Sequence, residues 1–441
     1  MTASCDMFLG MRLVACALLA MATLAQAQPT ASPEDLYQRA RQRVIDDIKR
    51  LPNFTCVQTI TRRVYGPAAH KRPPKCADIL RDRETPNHRL PLVTWDRLRL
   101  DVAIADKHEV YSWVGASRFD ESDIRQLVGG GQTVMGDFGS LLLSIFDDHT
   151  TMRFLGERKV RERRLFEYSY ETSVQSSDYR VRVGPEQFNT AYEGSVFLDP
   201  NTADAVRVTA RSAELPELTG YCQATRELDY SRLRIGAGDA IIPREASSWA
   251  VGRDGVAMVS SSDYSACREY IGESSLRFDE TASSSRPVSS GATGEATIPP
   301  AIPPGLPFAC TIVTPIDSDS AATGDPLEAV LRSPLTDASG KLLATAGARL
   351  HGRLMAFIGH PASTASRASY QIGVQFRSIE LDGKRVPLAA TLVNAPQSKK
   401  VSTLPNPRST VGTFVFYEKK LHLTSLDSKW VTATPTTVPA R

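Results

Sequence analysis

The stretch Arg97-Leu98-Arg99-Leu100-Asp101-Val102-Ala103-Ile104 alternates apolar Leu98, Leu100, Val102 and Ile104 with Arg97, Arg99, Asp101 and Ala103. Successive side chains of a strand point to opposite faces, so a period of two sets one face on a core and the other toward water. Ala105-Asp106-Lys107 reads as a turn, and residues 109–114 as the strand returning beside the first. Working outward, the same period recurs. Phe166, Tyr168 and Tyr170 oppose Glu167, Ser169 and Glu171, and Val181 and Val183 alternate with Arg180 and Arg182. Residues 195–198 and 205–210 flank Asp199-Pro200-Asn201-Thr202, and residues 241–251 and 256–260 flank Gly252-Arg253-Asp254-Gly255. Both connections carry the residues that tight turns require. Short antiparallel strands joined in this way predict a meandering sheet. No repeat of fixed period interrupts it.

Two helices stand out against this background. Ser32 is a suitable N-cap, and Pro33, Glu34 and Asp35 suit the positive end of a helix. Leu36, Ala40, Val44 and Ile48 then recur every four residues, which predicts an amphipathic helix ending near Pro52. Asp137 is expected to cap a second, short helix through Leu141, Leu142, Leu143, Ile145 and Phe146.

Between residues 281 and 307 the character changes. Pro287, Pro299, Pro300, Pro303, Pro304 and Pro307 lie among Ser, Thr, Ala and Gly, a composition too poor in apolar area to hold a fold. From 308 to 431 short strands return, with turns at Asp337-Ala338-Ser339-Gly340 and Leu381-Asp382-Gly383-Lys384. Residues 432–441 read as a frayed Thr/Pro-rich tail. With 441 residues, the chain is long enough for two cores. The expected organisation is a first domain over 28–280, a disordered linker over 281–307 and a second domain over 308–431.

The first residues point to export. Arg12 precedes an uncharged apolar run, residues 13–25, which ends in Ala25-Gln26-Ala27, the small-x-small pattern of a cleavage site. At about 13 residues the run falls short of the ~20 that a spanning helix needs. Residues 1–27 are therefore read as a cleaved signal peptide, with no transmembrane segment in the mature chain and a periplasmic or secreted destination. Leu13-Val14-Ala15-Cys16 imitates a lipobox but opens the apolar run instead of following it. Five cysteines remain after cleavage: Cys56, Cys76, Cys222, Cys267 and Cys310. In an oxidising compartment thiols tend to pair. Cys222 and Cys267 fall in strands of one sheet, and Cys56 and Cys76 flank a polar loop. The expected pairs are Cys222 with Cys267 and Cys56 with Cys76, leaving Cys310 free; five unpaired buried thiols are the alternative.

No motif for catalysis, metal or cofactor stands out. His70, His88, His108, His149, His351, His360 and His422 are scattered without metal spacing. Asp147-Asp148-His149 reads as a solvated helix end and Gly129-Gly130-Gly131 as a flexible turn, not a phosphate cradle. There is no nucleophile elbow, P-loop or dinucleotide fingerprint. Arg158-Lys159-Val160-Arg161-Glu162-Arg163-Arg164 reads as a solvated hairpin tip, with a polyanion contact as the alternative. The net charge of +3, from 52 basic and 49 acidic residues, excludes a dedicated nucleic-acid binder. No cofactor is expected.

Residues 33–280 resemble the lipoprotein-carrier (LolA-like) half-barrel group. The likeness rests on the leading helix, the paired strands around 98–114, Gly194-Ser195-Val196-Phe197-Leu198-Asp199-Pro200 entering a hairpin, and Ile242-Pro243-Arg244-Glu245 opening a strand. It implies a curved antiparallel sheet over helices, with an apolar cleft for acyl chains. The domain is longer than a simple carrier and places its cysteines differently. Residues 307–432 resemble the β-barrel domain of TrbI-type conjugation proteins. That likeness rests on Thr314-Pro315-Ile316-Asp317-Ser318, Gly324-Asp325-Pro326-Leu327-Glu328-Ala329 and Ala346-Gly347-Ala348-Arg349-Leu350-His351-Gly352. The family's inner-membrane segment and outer-membrane helix have no counterpart here, so a complete secretion-channel subunit is not expected.

The fold class expected is mainly β, α+β in detail: a curved antiparallel sheet with few helices, a Pro/Ser-rich linker and a small β-barrel-like domain. Three functional readings remain open. The first is a non-catalytic envelope protein binding a lipid or other apolar ligand, or an envelope partner. The second is a purely structural envelope protein with filled cores. The third is a hydrolase whose residues lie far apart in sequence. For the first, Phe166, Tyr168 and Tyr170 on one strand and Tyr111 and Trp113 on another are the candidate lining residues; the alternative is that the same rings pack as core under the helix of residues 33–51.

The mature chain is expected to begin at Gln28. Intact mass of the exported protein checks this, and a diacylglycerol adduct on Cys16 would contradict it.

Overall fold

The computed structural model describes residues 32–67, 75–84, 90–105, 108–116, 119, 124–128, 133, 137–146, 150–177, 179–183, 186–236, 238–269, 302–364, 366–395, 400–404 and 406–434. The expected signal peptide, Cys16, Gly129-Gly130-Gly131, Asp147-Asp148-His149 and most of the linker lie outside them. No described helix is long and apolar enough to cross a membrane.

The chain opens with α1 (Pro33–Lys49), where the Ser32 hydroxyl accepts a hydrogen bond from the Asp35 amide at 3.1 Å and Leu36, Ala40, Val44 and Ile48 are buried. Twelve strands follow: β1 (Phe54–Tyr65), β2 (Leu92–Ala105), β3 (His108–Trp113), β4 (Thr151–Val160), β5 (Arg163–Thr172), β6 (Arg180–Val183), β7 (Glu186–Asn189), β8 (Tyr192–Leu198), β9 (Ala205–Ser212), β10 (Tyr221–Ile235), β11 (Gly238–Gly252) and β12 (Ala257–Glu269). Between them lie α2 (Cys76–Glu84), α3 (Ile124–Val128) and α4 (Ser140–Ile145). Ten of the strands form one curved antiparallel sheet in the order β3-β2-β1-β12-β11-β10-β9-β8-β5-β4, and β6 and β7 make a separate hairpin. The hairpins expected around residues 105–107, 199–202 and 252–255 are present, with Ile104 opposite Glu109, Leu198 opposite Ala205 and Val251 opposite Ala257.

The second half comprises β13 (Pro307–Ile312), β14 (Ile316–Asp317), β15 (Pro326–Leu331), β16 (Leu335–Thr336), β17 (Leu342–Ala344), β18 (Arg349–His360), β19 (Ser369–Leu381), β20 (Lys384–Pro387), β21 (Ala389–Asn394), β22 (Val401–Leu404), β23 (Gly412–Phe416), β24 (His422–Leu423) and β25 (Leu426–Ala433). Its main order is β22-β23-β19-β18-β15-β13-β25-β21, with β20 on the far part of β19. The sheet wraps one core that includes Phe308, Phe357, Phe376, Phe414 and Trp430. Among the described residues no pairing joins β21 to β22, so the sheet is open and not a closed barrel.

The halves are not held apart by their tether. β2 outruns β3, and β18 outruns β15, and the exposed lengths meet: Trp95 pairs with Gly359 and Asp96 with Ile358. Beside them Thr323 exchanges backbone bonds with Arg97 and Arg99 (2.7 and 2.8 Å). Trp95 packs edge-on against Phe357 and Tyr370 of the second core, while Met355 packs into the first. Arg97 donates to the Ala321 carbonyl (3.1 Å), Arg99 pairs with Asp325, and the buried Arg353 donates to the carbonyls of Val114 (2.8 Å) and Gly324. Burial, with Arg377 nearby, brings the Arg353 guanidinium down to about 10.

Several expectations are corrected. The same four cysteines pair, but as Cys56–Cys267 and Cys76–Cys222. The reason is strand order. β11 lies between β10 and β12, and Cys222 sits at the Gly252 end of β11 while Cys267 lies past Asp263 toward the other end of β12, so the two are far beyond the ~7 Å that a disulfide spans. β1 is the hydrogen-bonded neighbour of β12, which puts Cys56 beside Cys267. Cys76 opens α2, packed on Cys222 and Val251, and Cys310 is unpaired and buried. Asp137 caps no helix: α4 starts at Ser140 with Gly139 at its N-cap. Inside the stretch read as linker, Ile302 and Leu306 are buried and Pro307 opens β13. Thr432 and Ala433, read as tail, complete β25, and the Thr432 hydroxyl donates to the Pro303 carbonyl at 2.6 Å.

Gly324 sits in the junction at φ +103°, where a Cβ would overlap the Arg99 carbonyl and the Trp113 ring. Gly305 has φ +89° and open space around it. Gly305→Ala is expected to cost about 1–2 kcal/mol of backbone strain, and Gly324→Ala about 2 kcal/mol more from overpacking. Urea unfolding of the two variants reads the difference, and equal costs would contradict the close packing of the junction.

Candidate functional site

The five ring residues singled out above do not gather in one place. Phe166, Tyr168 and Tyr170 lie on the sheet face beneath α1, in a cluster with Leu36, Ala40, Val44, Ile48, Val196 and Val208. The Tyr168 hydroxyl donates to the Pro33 carbonyl at 2.6 Å, and its ring lies 6.1 Å from that of Tyr37. Burial, with Glu34 adding to it, pushes the Tyr168 hydroxyl up to about 12. The Tyr170 hydroxyl donates to the Thr209 carbonyl at 2.6 Å. Phe166 is only partly buried and stands 5.2 Å from Phe154. Tyr111 and Trp113 belong to a second cluster with Phe54, Leu100, Val102, Ile124 and Phe138. Relative exposures of 2–6% for Tyr111, Trp113, Tyr168 and Tyr170 place these four in packed layers.

α1 meets its sheet through apolar contacts at the centre and polar ties at the rim. Arg41 donates to the Phe146 carbonyl (3.0 Å), Arg43 to Asp204 (2.8 Å), and Arg232 bridges Asp47 and Asp204 (2.6 Å each). Burial opposes the Asp204 charge, but Arg232 and Arg43 outweigh it and hold the carboxyl below its ordinary range.

Between the two apolar clusters lies a buried polar knot that alternation gave no sign of. Asp137 accepts from Arg226, from the Tyr264 hydroxyl at 2.5 Å and, through its carbonyl, from the Tyr230 hydroxyl at 3.0 Å. Gln58 donates to Tyr264 (3.0 Å) and Ser262 (3.3 Å). Beside it Glu109 accepts from the Tyr111 hydroxyl at 2.6 Å and from the Phe138 amide at 3.2 Å. Burial disfavours the Arg226 charge, yet Asp137 more than offsets this and raises its pKa. Burial first, then Asp137, drives the Tyr264 hydroxyl well above its ordinary range. Every proton is thus held firmly: the guanidinium stays charged and the phenols neutral. That suits an anchor pinning the 137–139 turn to β10 and β12 more than a group poised to exchange protons near neutrality.

The basic run occupies the β4–β5 hairpin tip, and each cation there has a carboxylate. Arg158 pairs with Glu167, Lys159 with Glu162, Arg161 with Asp229 and Glu245, Arg163 with Asp199, and Arg164 with Glu157. Such compensation leaves little field for a polyanion. Among the described residues no group of three His, Cys, Asp or Glu side chains is placed to hold a metal.

No family model matches the chain, and no curated protein does. Solved structures give distant likenesses. A LolA-superfamily protein from Nitrosomonas europaea is 9% identical, with a TM-score of 0.25, covering 53% of this chain and 94% of its own. A putative outer membrane lipoprotein-sorting protein domain from Vibrio parahaemolyticus is 10% identical at a TM-score of 0.26, covering 54% and 93%. The Pseudomonas aeruginosa MucA/MucB complex is 12% identical at a TM-score of 0.18, covering 90% and 94%. Scores of this size carry no argument about function.

Removing one partner of a buried ion pair leaves the other charge stranded. Asp137→Ala is therefore expected to destabilise by about 3–5 kcal/mol, read by urea unfolding. A change within about 0.5 kcal/mol, typical of open surface sites, would contradict the knot.

Proposed function

We propose that the chain is an exported, periplasmic or secreted, non-catalytic binding protein of the envelope. Its N-terminal domain, 28–280, takes an acyl chain or other apolar ligand between α1 and the sheet. The TrbI-like second domain, which the packed residues Ile302 and Leu306 and the strand end at Ala433 extend beyond 308–431, contacts an envelope partner. One observation carries the ligand half of this: α1 lays an unbroken apolar stripe on a ring-bearing sheet face, while its directional bonds, apart from that of Tyr168 to the Pro33 carbonyl, run along the rim. Apolar contact is non-directional, so breaking the rim ties frees α1 to shift and admit a chain, which gains ~0.8 kcal/mol per methylene buried. The two disulfides, between residues 211 and 146 apart in sequence, support an oxidising compartment.

A specific observation favours the structural reading as well: Tyr168 and Tyr170 are each only 3% exposed, as core residues are. Tyr168→Ala separates the two. If Tyr168 lines a ligand slot, the variant takes up a fluorescent fatty acid more weakly than the wild type and keeps its stability. If it is core, unfolding free energy falls by about 3 kcal/mol or more. Wild-type protein that takes up no fatty acid would end the carrier reading.

A further inference from the structure

The sheet face turned away from α1 forms a second, chemically different site. On β4, β5, β8, β9, β10 and β11 every other side chain points there, and the strands are paired in unbroken sequence. A half-open groove of about 820 Å³ runs over this floor, with Leu80 of α2 at one end. That volume falls in the range of small-molecule sites.

Three features of the lining define what fits. The charges cancel, with Arg153 and Arg211 in the lining and Arg207 beside it against Glu171, Glu193 and Glu227. Most are also occupied locally: Arg211 pairs with Glu193 at 2.5 Å and Glu227 with Arg207 at 3.1 Å, while Arg226 is taken up on the other face by Asp137. An anionic lipid or nucleic acid needs an excess of one sign and finds none. Second, the floor is dense in hydroxyls and amide, among them Thr225, Ser247 and Gln223, so a bare acyl chain would strand polar groups without partners. Third, the indole of Trp249 is 43% exposed on the wall, offering an electron-rich face to C–H groups. Within the floor β5, β8, β9, β10 and β11 each lie between two paired strands, which leaves an extended peptide only the outer edge of β4 among the described residues.

We infer that this groove binds a neutral oligosaccharide, stacked on Trp249 and hydrogen-bonded across the polar floor of β8 to β11. A sugar ring has a C–H face to lay on the indole and hydroxyls that both donate and accept, which matches mixed Arg, Glu, Thr and Gln partners. The site lies on the face opposite the apolar layer under α1, so it stands or falls separately from the carrier reading.

The test is isothermal titration of the full-length protein with maltohexaose, cellohexaose and chitohexaose. At least one is expected to bind, with affinity at least tenfold weaker in Trp249→Ala and largely retained in Trp249→Phe. Thr225→Arg, which fills the floor without entering a core, is expected to abolish binding; far-ultraviolet circular dichroism confirms the fold of each variant. Absence of binding by all three sugars, or binding unchanged in Trp249→Ala, overturns the inference. So does binding of phosphatidylglycerol vesicles or palmitate that disappears in Trp249→Ala, since that would give the groove to a lipid.

Discussion

The rest of the structure depends on how the fourteen residues of β2 satisfy both backbone edges. An unpaired strand edge is a template for uncontrolled pairing, and buried amides without partners are costly. β1 takes one edge along its whole length. The other is shared among β18, the Thr323 turn and β3. No single partner is long enough, so the second half of the chain completes the edge that the first leaves open. One sheet of 19 strands is the consequence.

That division of labour explains the chemistry of the junction. Backbone pairing between the halves is brief, and side chains supply the remaining bonds. Arg97 and Arg353 donate to carbonyls where the chain turns away from the sheet, and Arg99 meets Asp325. Trp95 and Met355 cross over to pack in the opposite core. A linker composition over the connecting residues therefore coexists with a tightly built contact between the halves.

Within the N-terminal sheet the two faces have opposite characters, a direct result of period two. One face carries tyrosines and aliphatics under α1, the other carries alternating charges and hydroxyls. The buried knot around Asp137 sits between the apolar clusters and fixes the turn before α4. The disulfides close loops of more than a hundred residues, each worth up to about 5 kcal/mol in the chain-entropy model. They fasten β1 to β12 and α2 to β10. A sheet braced at these points carries α1 through its buried apolar stripe and its rim ion pairs.

What the amino-acid sequence determined by itself is local. The alternation around Leu98 to Ile104, the turns at Asp199-Pro200 and at Asp254-Gly255, and the cap and stripe of α1 all follow from interactions among near neighbours. Those signals settled the fold class. The tertiary structure alone decided which neighbour each strand has, and with it every feature that spans strands. Cys222 and Cys267 share a sheet but lie toward opposite ends of it, with β11 between their strands. Tyr111 and Tyr168 both face inward yet lie in different clusters. Asp137, with the composition of a cap, became the partner of Arg226, 89 residues away. Alternation tells each side chain which face it occupies and is silent about what lies across the strand, because lateral order is set by how the whole sheet closes its edges.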